Sequence, residues 1–156
     1  MAIWKMPPKA KVYEALGALA DGRVKIVAEG KGEVVSSTGN KSYSVEWSKD
    51  LSSFSSNDNA SYWQGYLGYP IIAVLCTLEK IEYNATVSNH LAGVHWKELN
   101  KKHKNNYDSA VDEVLASVQR SGIDSQVVVQ EVDNIMNQLQ ALKLDRLQRR
   151  SSPPKG

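Results

Sequence analysis

The sequence predicts an α+β fold, in which a small antiparallel sheet of hairpins packs with helices and is followed by a C-terminal zipper-like helix. Three patterns carry this prediction. Apolar residues recur at helical spacing near the start, short alternating segments separated by turn residues follow, and helical patterns fill the second half. We expect an α+β domain over residues 1–121, a helical dimerisation segment over 122–148 and a disordered tail over 149–156.

The first helix is predicted at Lys9–Ala20, because Pro8 stands at its start and Gly22 lies just past its end. Two hairpins should follow, with turns at Glu29–Gly32 and at the Ser-Thr-Gly-Asn sequence that ends in Asn40. Their strands, with a fourth short strand after them, are predicted at Val24–Ala28, Glu33–Ser37, Ser42–Trp47 and Leu51–Ser55. Alternation in the third strand places Tyr43, Val45 and Trp47 on one face.

A broken helix should follow the sheet. Asn57–Asn59 is a strong helix-start signal, but Gly65, Gly68 and Pro70 interrupt the stretch behind it. We expect the second half, Ile71–Leu78, to be buried. Further helices are predicted at Asn84–Leu91, Trp96–Lys101 and Tyr107–Arg120.

The last helix is predicted at Ser125–Leu147, with an a/d seam of about two and a half heptads. The seam consists of Val128, Val132, Ile135, Leu139 and Leu142. It fits a helix that pairs with a second copy of the chain, and we expect a homodimer through it. The same spacing also fits a helix packed on its own domain.

Composition limits the classes of function. The formal net charge is only +2, so phosphate contacts would need local clusters of basic residues. The single cysteine, Cys76, stands in an apolar run, which indicates a buried residue and a reducing compartment. The N-terminal residues lack the long apolar stretch of a signal peptide, and no stretch is long enough to span a bilayer. We therefore expect a cytoplasmic protein.

Catalysis has little support in the sequence. His90, His95 and His103 share no helical face, and no cysteine pair accompanies them, so we expect no metal site. No glycine-rich phosphate loop and no nucleophile elbow is present. We therefore expect a protein that is not an enzyme, with no catalytic residues, no cofactor and no small-molecule substrate.

The segment Tyr62–Tyr69 is the most informative part of the chain. Tyr62, Tyr66 and Tyr69 lie on nearby faces of a helix, Trp63 flanks them, and two glycines leave space between the rings. Rings of this kind can fill a core, but Tyr and Trp combine a flat apolar face with a polar group and so suit a half-exposed surface. The segment therefore predicts a binding surface.

Lysines could border this surface. The candidates fall in the β region and in one later cluster: Lys25, Lys31 and Lys41, then Lys97, Lys101, Lys102 and Lys104. We choose Lys25, Lys41, Lys97 and Lys101 as the contacts to phosphate. Aromatic rings bordered by lysines fit single-stranded nucleic acid, because every base has a face that can stack and every phosphate attracts a cation.

The chain also resembles the ThermoDBP family, single-stranded DNA-binding proteins of some thermophilic archaea. The resemblance rests on the order of helix, hairpins, the segment NDNASYWQGYLGYPIIAVL and helices that end in a zipper-like segment. It implies a DNA-binding role in replication and repair, a dimerising C-terminal helix and a hydrophobic cleft edged by basic residues. The residues that match this cleft are Tyr43, Trp47, Phe54, Tyr62, Trp63, Tyr66 and Tyr69.

The function expected from the sequence is binding of single-stranded DNA with low sequence specificity. Two alternatives remain open at this point. The aromatic surface and the last helix could serve a protein–protein adaptor, or the surface could bind single-stranded RNA.

Overall fold

The computed structural model describes residues 3–147 and 152–154 and confirms the α+β class. Its helices are α1 Lys9–Ala20, α2 Tyr69–Thr77, α3 Ala85–Ser88, α4 Trp96–Lys102, α5 Tyr107–Arg120 and α6 Ser125–Leu142. Its strands are β1 Val24–Ala28, β2 Lys31–Val35, β3 Ser42–Trp47, β4 Ser53–Ser56 and β5 Asp145–Arg146. A π-helical turn, Ala60–Gln64, precedes α2, and a 3-10 turn, Asn89–Leu91, follows α3.

The strands lie side by side in the order in which they occur in the chain, from β1 to β5. The first three pairings are antiparallel, as the predicted hairpins require, and β5 runs parallel to β4. In β3, Tyr43 and Val45 point into the protein while Ser42 is exposed, which confirms the predicted alternation. One face of the sheet therefore contributes to the core.

Helix α2 is the centre of that core. Its residues from Pro70 to Cys76 are all buried, because nearly every position is apolar and the helix packs on α1 and on the sheet. This confirms the predicted burial for Ile71–Cys76, whereas Thr77 is exposed and Leu78 is half-buried at the end of the helix. Burying so much apolar surface is the main source of stability in a domain of this size.

Helix α6 ends five residues earlier than predicted. Lys143 follows it in a left-handed conformation with φ of 49°, and the chain then extends into β5 beside β4. The second strand also differs from its prediction: it begins at Lys31, not at Glu33, so the first hairpin turn is shorter. Both differences come from pairing between strands, which local sequence does not reveal.

The seam of α6 packs inside its own chain. Val128, Val132, Ile135 and Leu139 are at most 3 % exposed, and Leu142 packs partly buried against the same core. In this fold the seam has no free face for a second copy, because α1, α3 and α5 already cover it. The structure shows the other interpretation of the spacing, in which the helix packs on its own domain. Dimerisation itself stays a prediction.

The predicted division at residue 121 does not separate two cores, since residues of α5 and α6 belong to one cluster with α1 and α2. The predicted disordered tail, 149–156, lies outside the described residues apart from 152–154. Within the described part of the chain, no helix is both long and apolar enough to cross a membrane.

Candidate functional site

A cavity of about 470 Å³ opens between the aromatic segment and helix α4. Six aromatic residues line it: Tyr43, Trp63, Tyr66, Tyr69, Trp96 and Tyr107. Six basic residues line it as well: Lys11, Arg23, Lys41, Lys97, Lys101 and Lys104. The volume lies in the range of pockets that hold one small ligand or one unit of a larger ligand.

The break in the aromatic segment gives the cavity one of its walls. The π-helical turn ends at Gly65, which takes a left-handed φ of 74°. The Gly65 carbonyl accepts hydrogen bonds from the Lys5 backbone N–H at 3.1 Å and from Arg146 Nη2 at 3.0 Å. This confirms the predicted interruption, and it leaves Tyr66 and Tyr69 on either side of a short extended link.

A buried aspartate ties the two parts of the broken helix together. Asp58 Oδ2 accepts from the Ser61 backbone N–H at 3.1 Å, and Ser61 Oγ accepts from the Gly68 backbone N–H at 3.1 Å. A β-carbon at Gly68 would overlap the Asp58 carboxylate, so glycine is required there by contact and not by backbone conformation. Asp58 Oδ1 is buried without a hydrogen-bond partner among the described residues.

Tyrosine rings form the apolar surface of the cavity. Tyr43 and Tyr69 meet edge to face, with ring centroids 6.2 Å apart and an angle of 84°. Burial raises the pKa of Tyr43, Tyr66 and Tyr69, so their phenols stay neutral at physiological pH. The three hydroxyls make no hydrogen bond within residues 3–147 and 152–154. The cavity therefore presents flat tyrosine rings together with hydroxyl groups that could bond to a ligand.

An ion pair inside α1 lines the same cavity as these rings. Lys11 Nζ is 3.0 Å from Glu14 Oε2, and both side chains are about nine-tenths buried. Burial by itself would lower the Lys11 pKa, but the charge of Glu14 and its hydrogen bond outweigh this and raise it. Lys11 Nζ also lies 4.7 Å from the centre of the Tyr107 ring. Its charge is thus already compensated by the protein.

Four lysines at the rim of the cavity differ from Lys11, because no acidic residue that the structure describes pairs with them. Lys41, Lys97, Lys101 and Lys104 form no ion pair with any residue that the structure describes. Partial desolvation lowers the Lys97 pKa, and the like charges of Lys41 and Lys101 lower it further. Lys41, Lys97 and Lys101 therefore lie close enough to repel one another, which is the electrostatic condition for holding an anion.

Local structure holds these lysines in place. Lys97 and Lys101 are one turn apart on α4, so they share a face. The Lys97 backbone N–H donates to Ser37 Oγ at 3.1 Å, which fixes the start of α4 beside the turn that carries Lys41. After α4, Lys104 and Asn105 both take left-handed conformations, with φ of 53° and 64°.

The cavity unites seven of the residues that the sequence suggested. They are Tyr43, Trp63, Tyr66, Tyr69, Lys41, Lys97 and Lys101. Trp63 is 68 % exposed and extends the aromatic surface out of the cavity toward solvent.

Four suggested residues do not line the cavity. Phe54 is fully buried, and its ring stacks on Trp47 at 6.0 Å, so these two belong to the core and its edge. Tyr62 does not reach the cavity but packs edge to face on Trp63 at 4.6 Å. Lys25 is exposed on the edge strand β1, outside the cavity lining. Alternation placed Trp47 on the correct face of the sheet but could not distinguish core from cleft.

Sequence reasoning missed other members of the site. Trp96 and Tyr107 are the first residues of α4 and α5, and Lys11 lies on α1. The sequence predicts only that each of them lies in a helix. No local signal could have joined them to the aromatic segment, because they meet it only through tertiary packing. Lys104 was a candidate in the later lysine cluster but was left out of the chosen set.

One family model matches the chain, over residues 4–145. It describes an uncharacterised conserved protein, UCP014422. The chain belongs to this family. Nothing among the curated proteins or the solved structures matches the chain.

Membership of the UCP014422 family corrects the resemblance to ThermoDBP, which was wrong. The order of elements and the aromatic segment, on which the resemblance rested, are not diagnostic of that family. Expectations that depended on the resemblance alone, a thermophilic archaeal source and a role in replication and repair, lose their support. The cavity of this UCP014422 member has to be interpreted from its own residues.

Proposed function

We propose that this protein binds single-stranded DNA, with a base against the tyrosine rings of the cavity and the strand's phosphates on the lysines at the rim. One observation carries the proposal. The same cavity combines half-buried aromatic rings with four lysines that have no acidic partner among the described residues. The role is one of binding, without a chemical step.

The aromatic lining supports a ligand with flat rings. Stacking of a base on an aromatic side chain contributes about 1–3 kcal/mol and depends little on which base is present. Tyr66 and Tyr69 offer such faces inside the cavity, and the exposed Trp63 offers another at its edge. The aromatic surface continues from the cavity into solvent. It can therefore contact further bases of the same strand, next to the base that lies in the cavity.

The rim lysines support a ligand with a phosphate backbone. Each contact between a lysine and a phosphate releases counterions, so affinity should fall as salt rises. The low net charge of the whole chain does not oppose this, because Lys41, Lys97 and Lys101 concentrate positive charge at one place. We therefore propose local electrostatic binding and not attraction by a strongly basic protein.

Tryptophan fluorescence tests the proposal directly. Titration of the full chain with a single-stranded DNA oligonucleotide at low salt should quench emission, because a ring stacked on a base loses fluorescence. Trp63→Phe should reduce the quenching and leave the part that comes from Trp96 in the cavity lining. Trp47→Phe should not change it, since Trp47 packs on Phe54 and does not line the cavity. Unchanged fluorescence and unchanged gel mobility with both DNA and RNA would exclude nucleic-acid binding.

A pair of lysine variants tests the electrostatic part. Lys101→Ala should weaken binding and reduce the slope of log affinity against log salt by about 1. Lys25→Ala is the matched control, because Lys25 is exposed on β1 outside the cavity and should leave the slope unchanged. Competition with RNA of the same sequence then decides between DNA and RNA, since the 2′-hydroxyl is the group that differs.

We also propose a cytoplasmic location. Cys76 is the only cysteine of the sequence and is buried as a free thiol in α2. A chain that uses its one cysteine as an apolar core residue has no stabilising disulfide to gain from an oxidising compartment. Fractionation of cells of the source organism, with detection of the native protein, tests this location.

A further inference from the structure

We propose that the cavity takes the end of a strand, with a terminal phosphomonoester bound by Lys41, Lys97 and Lys101. This rests on the proposed function and specifies its ligand. The geometry behind it is that these three lysines line one cavity with room for about one nucleotide, and that the Lys97 backbone is hydrogen-bonded to the turn before Lys41.

Charge is the first argument. An internal phosphodiester carries one negative charge, whereas a terminal phosphomonoester carries about −1.5 to −2 at pH 7 and has three acceptor oxygens. Three neighbouring lysines without acidic partners in the described chain exceed what one phosphodiester needs. They can offer one ammonium group to each of the three oxygens of a dianion.

Proximity is the second argument. The Lys97 backbone N–H donates to Ser37 Oγ at 3.1 Å, which fixes the start of α4 beside the turn that carries Lys41. Partial desolvation lowers the Lys97 pKa, and the like charges of Lys41 and Lys101 lower it further, so the three cations are neighbours. Neighbouring cations favour a compact dianion, because a dianion between them offsets their mutual repulsion.

The shape of the cavity is the third argument. The buried Lys11–Glu14 pair and Asp58 line the same cavity as the tyrosine rings. These two carboxylates are the negative charges of the lining, and both belong to its buried part. A ligand with its ring deep in the cavity and its phosphate at the lysine side keeps its negative charge away from them.

The test compares oligonucleotides of one sequence that carry a 5′-phosphate, a 3′-phosphate or hydroxyl groups at both ends. Tryptophan quenching or calorimetry with the full chain gives the dissociation constants. We expect one phosphorylated end to bind at least about tenfold more tightly than the hydroxyl ends. The preference should shrink between pH 7.5 and pH 5.5, because the second pKa of the monoester is about 6.

Two variants on one helix provide the control. Lys97→Gln should abolish the preference for a phosphorylated end. Lys102→Gln should keep it, because Lys102 Nζ pairs with Glu113 Oε1 at 2.7 Å and does not line this cavity. A closed circular single strand, which has no ends, should compete weakly.

The outcomes separate this inference from the function on which it rests. If all three oligonucleotides bind equally, the terminal preference is overturned and the proposed function stands. If Lys97→Gln weakens all three by the same factor, Lys97 contacts internal phosphates and the inference is again overturned. If no oligonucleotide binds, both proposals fail.

Discussion

Arg146 Nη2 donates a hydrogen bond of 3.0 Å to the carbonyl oxygen of Gly65, a residue 81 positions earlier in the chain. The same guanidinium lies 4.9 Å from the centre of the Trp4 ring. The C-terminal strand β5 therefore holds the aromatic segment at the point where its helix breaks. The wall of the cavity therefore depends on a contact with the C-terminal strand, whose Arg146 also lies over Trp4 near the start of the described chain.

Replacement of this arginine should loosen the aromatic segment. Arg146→Ala removes a charge-assisted hydrogen bond and a cation–π contact, and we expect it to cost about 2 kcal/mol in the free energy of unfolding. Hydrogen exchange should increase around Gly65 more than in α2. Arg120→Ala, at the exposed end of α5, should change neither quantity. Equal hydrogen exchange around Gly65 in both variants would contradict the conclusion that Arg146 holds this segment in place.

Gly68 should not tolerate a side chain. Gly68→Ala would place its β-carbon against the Asp58 carboxylate, and we expect a loss of at least about 2 kcal/mol in stability. Asp58→Ala removes the obstacle but leaves the Ser61 N–H without its acceptor. Chemical denaturation of both single variants and the double variant should show a loss for the double variant smaller than the sum. Additive losses would mean that the two residues do not meet.

Alkaline pH should destabilise the fold through several buried acids, of which Tyr13 and Cys76 are two. Burial raises the pKa of Tyr13 and of Cys76, each to about 12. Both groups are neutral when protonated, so the folded state retains protons that the unfolded chain begins to lose above its ordinary pKa values, 9.0 for the thiol and 10.0 for the phenol. Their contribution is present below about pH 9 and is lost as the pH rises toward 12.

Urea unfolding at pH 8 and pH 10.5 measures this loss, which we expect to be about 2 kcal/mol. Tyr13→Phe should reduce the difference between the two pH values, because its ring cannot ionise in either state. A free energy of unfolding that is the same at both pH values would contradict the assignment of these buried groups.

Local signals were enough to predict much of the fold. The bounds of α1 and α5 agree with the sequence because Pro8, Gly22 and Asn106 act on the backbone next to them. Asn106 accepts a hydrogen bond from the Ser109 N–H at 3.2 Å, as a cap does. The end of α6 carried no such signal, since Lys143 is not a residue that favours the left-handed conformation.

Only part of the site can be predicted from the sequence, because tertiary packing decides the rest. The composition of the aromatic segment is unusual, and the lysines that could border it can be identified in the sequence. Which rings face a cavity depends on tertiary packing, which buries Phe54 and leaves Trp63 68 % exposed. The same packing brings Trp96 and Tyr107 to the cavity from separate helices.

The zipper interpretation can be tested against core packing on α6. Ile135 is fully buried, and Ile135→Ala should create a cavity that costs about 2–5 kcal/mol in stability. Val127→Ala is the matched control on the same helix, because Val127 is 41 % exposed and its loss should cost little. Light scattering should give the same mass for the wild type and both variants, whichever oligomeric state the wild type has. A mass that falls by half in Ile135→Ala while the free energy of unfolding is kept would restore the seam as a dimer interface, because only a contact between copies can be lost without damage to the core.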